Sequence, residues 1–123
     1  MNNWLAPGAG FSALTFLVHI FAGGPNIGTP LLRAQDIRAV PKFTHYYCWH
    51  IVSLVLLAMA CGFCMGAWSI AAYDVAALMT LLALGFTIWS IALVLRKRQK
   101  FWLRPQWALF LPITVCAALG LWK

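Results

Sequence analysis

YDVAALMTLLALGFTIWSIALVL, residues 73 to 95, carries a single charged side chain, Asp74. A helix needs about 20 apolar residues to cross the hydrocarbon core of a bilayer, and this run supplies them. It ends on Arg96-Lys97-Arg98-Gln99-Lys100, a block that belongs in water. The stretch therefore reads as a membrane span with its basic end at a surface. Composition agrees: the 123-residue chain is 63% hydrophobic and 9% charged, whereas a soluble domain needs roughly 25% charged residues to stay wet. One compact unit fits this length, and lipid must be its solvent. Seven tryptophans suit a protein with two water–lipid boundaries, where amphipathic rings collect.

Three further runs extend the pattern outward from this one. The spacing predicts spans over about 4–24, 43–68, 73–95 and 106–122, hence an all-α polytopic membrane protein, a four-transmembrane-helix antiparallel bundle forming a single domain. Arg33, Arg38 and Lys42 lie in loop 25–42, and Arg96, Lys97, Arg98, Lys100 and Arg104 lie in loop 96–105; only Lys123 falls on the other side. That bias makes both loops cytoplasmic and puts the N-terminus and C-terminus outside. The same clustering accounts for the net charge of +7 without a nucleic-acid partner. The opening MNNWLAPGAG has no Lys or Arg, unlike a signal peptide, so the first run is expected to be a retained span.

Gly23-Gly24-Pro25 reads as the stop of span one, glycine taking a left-handed cap and proline blocking continuation. Thr29-Pro30 then looks like an N-cap followed by proline at the first helical position. Residues 30–40 read as a short amphipathic helix lying on the inner membrane surface. Within the spans, small or mildly polar residues fall on one stripe each: Gly8, Ser12, Thr15, His19 and Gly23; Tyr46, His50, Ser53, Leu57, Cys61, Cys64 and Trp68; Ala76, Thr80, Ala83, Thr87 and Ser90; Pro112, Cys116 and Gly120. Such faces let helices approach closely in lipid and are the expected interior.

A helical rise of about 1.5 Å per residue puts His19, His50 and Ser90 in one layer beneath the inner surface. An intramembrane ionisable residue is costly and is a functional candidate with a named partner; the partner expected for His19 is His50. The pair can bridge helices by hydrogen bonds, hold a metal ion or haem, or relay a proton or solute. His45 belongs to the interfacial belt with Tyr46, Tyr47 and Trp49. Cys61-Gly-Phe-Cys64 has C-x-x-C spacing, but no helix terminus or cation is there to activate a thiol, and packing is the expected role of both cysteines. Asp36 and Asp74 are the only acids, and both fall in loops. No nucleophile–base–acid set, phosphate loop or zinc-protease motif is present, which argues against catalysis.

The segments VHIFAGGPNIGTPLL and YYCWHIVSLVLL resemble an uncharacterised family of small bacterial four-helix inner-membrane proteins with an H-x-F-x-G-G … W-H pattern. The resemblance spans residues 18 to 57; the last two spans match only in hydropathy. It implies a bacterial inner-membrane location and a shared role for His19, Gly23, Gly24 and His50, and it implies no activity. Small multidrug carriers have this size but depend on a glutamate in the first helix, which is absent. The functional expectation is a non-enzymatic accessory subunit or a small-solute or metal-ion handler built on the His19–His50 layer. The alternative is a b-type haem or quinone-binding membrane anchor of an electron-transfer complex. Expected partners are the lipid bilayer and a membrane-protein partner or a second copy; a third reading docks a soluble partner on the basic 96–104 loop.

Overall fold

The computed structural model describes residues 1–103 and 106–122; Arg104 and Pro105 of the basic loop, and the terminal Lys123, lie outside the described residues. Every regular element among the described residues is helical, as lipid demands of a backbone that must satisfy its own polar groups. Helix α1 (Leu5–Leu17) runs without interruption into a π-helix (Val18–Gly28) and then α2 (Thr29–Arg33). After a short linker come α3 (Ala39–Trp68), α4 (Tyr73–Arg96) and α5 (Gln106–Trp122). Three helical stretches, Leu5–Arg33, Ala39–Trp68 and Ile70–Arg96, are long and apolar enough to cross a membrane; α5 is a shorter apolar helix.

Two expectations about the first loop are corrected. Gly23-Gly24-Pro25 does not stop the helix, because no glycine takes a positive φ and all three residues lie inside the π-helix. Proline lacks the N–H of an α-helical bond, and its ring clashes with the carbonyl four residues back. The wider i→i+5 turn relieves that conflict without ending the helix. Nor is there a separate surface helix over residues 30–40: Thr29–Arg33 prolongs the first helical stretch, residues 34–38 are non-helical, and α3 starts at Ala39.

Helix termini are satisfied locally. The Oδ1 of Asn2 accepts the backbone N–H groups of Trp4 (3.0 Å) and Leu5 (3.1 Å) at the start of α1. Its Nδ2 donates to the Tyr73 hydroxyl (2.9 Å) and the Gly120 carbonyl (2.8 Å), so one side chain ties α1 to α4 and α5. Asp74 sits in the first turn of α4, where the helix dipole favours an anion. The α4 C-terminus closes with Gln99 N–H on Val94 O (3.1 Å) and Arg98 N–H on Leu95 O (3.2 Å). That is the Schellman pattern, usually completed by glycine; here Arg98 holds the left-handed position at φ 48.

Helix α1 packs on α3 and α5, and α4 packs on the same two helices. Leu5, Met59, Phe63, Ala76, Ala83, Ile113 and Ala117 form the shared core. Glycines permit the closest approaches. A Cβ on Gly120 would meet Leu5 Cγ at 2.7 Å and Leu5 N at 3.1 Å, and one on Gly66 would meet Ala76 Cβ at 2.8 Å. The interior stripe of α1 contains Gly8, Ser12 and Thr15, and that of α4 contains Ala76, Ala83, Thr87 and Ser90. On α3 the interior runs through Ser53, Leu56, Met59, Phe63 and Ala67. Leu57, Trp68, Cys61 and Cys64 are exposed, so that helix is turned about one residue, or 100°, from the expected face. Large side chains, with Gly62 and Gly66 beside them, define its buried side better than the small cysteines do. On α5 the buried residues are Ile113, Ala117 and Gly120; Gly120 lies on the expected stripe, and the other two lie one position on from Pro112 and Cys116.

Candidate functional site

His19 stands in the first turn of the π-helix, and its partner is Trp49 of α3. Imidazole and indole stack with centroids 3.8 Å apart and planes 19° from parallel. The Nε2 of His19 donates to the Trp49 carbonyl at 3.2 Å, an oxygen that also accepts from Ser53 Oγ at 3.2 Å. The same indole lies against Gly23, where a Cβ would come within 2.5 Å of Cη2, and reaches Gly28, whose Cβ position is 3.9 Å from Cε2. His19, Gly23 and Gly28 are separated by four and five residues. An α-helix at 100° per residue would leave Gly28 about 180° away from His19, on the opposite side. The wider π-turn, about 4.4 residues, brings all three to one face. The π-helix is thus what makes a flat wall for the Trp49 ring.

The hydrogen bond and the ring stack of His19 thus go to Trp49, where the sequence pointed to His50. His50 is exposed, and its ring packs edge-on to Tyr46 of its own helix at 4.6 Å. The one-residue turn of α3 explains both observations: it brings Trp49 rather than His50 towards α1. Among the described residues no three His, Cys, Asp or Glu side chains gather as a metal-ion site. Cys61 and Cys64 are free thiols exposed on the outer face of α3, not packing residues. His45 is also exposed, its Nδ1 donating to Pro41 O at 2.8 Å.

The remaining polar candidates are buried: Ser12, Thr15, Ser53, Thr87 and Ser90 are all at most 8% exposed. Ser12 donates to Gly8 O, Thr15 to Phe11 O and Ser90 to Thr87 O. Thr87 bonds to Ala83 O and meets Thr114 of α5 at 3.1 Å. These hydroxyls are occupied by their own helices or by a neighbour, and no buried side-chain polar atom lacks a partner among the described residues.

Next to the His19–Trp49 stack lies a half-enclosed cleft of about 450 Å³ between the α1 extension, α3 and the first turn of α5. Val18, Ala22, Val52, Leu56, Leu109 and Phe110 make it apolar; His19, Asn26, Trp49 and Gln106 bring the polar atoms. The volume and the sparse polar groups are those of a small-ligand site. Trp49 was not among the expected site residues. Its signal was the aromatic directly before His50, combined with Gly23 and Gly28 at a spacing that only a widened helix aligns.

Fold and cleft together define a helical membrane protein with a half-enclosed apolar cleft beside a histidine–tryptophan stack. No family model, curated protein or solved structure matches the chain.

Proposed function

We propose that the chain is a four-span bundle of the bacterial inner membrane, with residues 25–42 and 96–105 in the cytoplasm and both termini outside. On this reading it has no catalytic role and serves as an accessory subunit or small-solute handling protein. It holds one apolar-bodied molecule in the cleft beside His19. The observation that carries this reading is the cleft itself: an apolar volume of about 450 Å³ beside an imidazole locked by stacking and a hydrogen bond. The Trp49 ring and carbonyl hold that imidazole in one orientation, so the site is formed before any ligand arrives.

Native mass spectrometry of protein released from mild detergent tests the proposal. The expected result is one co-purified small molecule per chain, lost in Ala22→Trp, which fills the cleft from its rim. Wild type and variant carrying the same bound species, or neither carrying any, would remove the cleft from consideration.

A further inference from the structure

The ligand's chemistry follows from the hydrogen bond of His19, provided the cleft is a ligand site as proposed above. A carbonyl oxygen can only accept, so the nitrogen facing Trp49 O, Nε2, must carry the ring proton. In the neutral imidazole the other nitrogen, Nδ1, is then an acceptor, and no protein donor meets it among the described residues. Asn26 uses its Nδ2 on Ala22 O at 2.7 Å, which leaves its Oδ1, also an acceptor, at the same cleft. The polar side of the cleft therefore offers these two acceptors, beside the N–H donors of the Gln106 amide and the Trp49 indole. Its other surfaces are aromatic (Trp49 and Phe110) and aliphatic (Val52, Leu56 and Leu109). We infer that the cleft binds a ring-hydroxylated amphiphile, a phenol or hydroquinone with an apolar tail, whose hydroxyl donates to Nδ1 of His19. An aryl ether has the same flat ring and tail but no proton to give to Nδ1, and it binds less well.

The test compares 4-decylphenol with its methyl ether, 4-decylanisole, by calorimetric titration of the full chain in lipid nanodiscs. The phenol should bind roughly 3- to 10-fold more tightly, the range set by one net hydrogen bond. His19→Phe keeps a ring against Trp49 but removes the acceptor, so it should lower phenol affinity to that of the ether and leave the ether unchanged. Equal binding of the two probes to wild type overturns the hydroxyl inference while leaving the cleft standing, and needs no variant. If neither probe binds, or if Ala22→Trp binds both as well as wild type, the cleft reading fails as well.

Discussion

At Gly23 one hydrogen atom decides whether the His19–Trp49 stack can form. The contact distance of 2.5 Å to the indole leaves no room for a methyl group, whereas Gly24, its neighbour, has nothing within 4 Å of its Cβ position. Gly23→Ala is therefore expected to destabilise the protein by about 1–3 kcal/mol, as overpacking does, and Gly24→Ala to be neutral or slightly stabilising because alanine favours a helix. Thermal unfolding in detergent measures both. In Gly23→Ala/Trp49→Ala the penalty of the alanine should largely vanish, since the clashing ring is gone; a penalty that persists would place the strain elsewhere. The helix that faces His19 was legible in the sequence. Its partner was not. Choosing between Trp49 and His50 requires the rotation of α3, and a sequence in which both helix faces are apolar gives little indication of that rotation.

At the scale of elements, the helix ends separate what local rules capture from what they miss. Tyr73–Arg96 was readable because an uninterrupted apolar run meets a block of cations. The first helical stretch was misread because Gly-Gly-Pro terminates α-helices, while a π-helix absorbs the same residues with negative φ throughout. Arg98 shows the reverse case, a left-handed cap without glycine. Its backbone costs about 1 kcal/mol relative to glycine, so Arg98→Gly should raise the stability of α4's end by about that amount. Hydrogen exchange of the Arg98 and Gln99 amides, slower in the variant, would register it; unchanged exchange would mean that the cap is not limiting. The glycines at the helix contacts rank themselves in the same way. Gly120→Ala meets Leu5 near its backbone, whereas Gly62→Ala meets Met79 Cγ at 2.9 Å, on a flexible side chain that can swing aside. Gly120→Ala is expected to be the more destabilising of the two in the same unfolding assay, by about 1 kcal/mol or more.

For the whole molecule, the decisive question is whether α5 crosses the membrane. Its 17 residues span about 25 Å at 1.5 Å per residue, short of the roughly 30 Å hydrocarbon core. Three features favour a crossing. The bilayer thins or flanking residues adjust to a short helix at modest cost. Trp107 and Trp122 stand at its two ends, where interfacial rings anchor a span. Along its length α5 packs on both α1 and α4, with Thr87 and Thr114 sharing a hydrogen bond in the interior. A helix lying on the surface would meet α1 and α4 near their ends rather than along their length. In the proposed four-span topology the basic cluster before α5 faces the cytoplasm and the C-terminus faces out. Alkaline phosphatase fused after residue 123 should be active and green fluorescent protein at the same position dark, with the opposite pattern for both reporters inserted after residue 99. A fluorescent C-terminal fusion would reduce the count to three crossings. It would leave α5 as a helix folded back against the bundle, and the cleft, which borrows Leu109 and Phe110 from α5, would then have to be assembled from a helix entering the membrane only part-way.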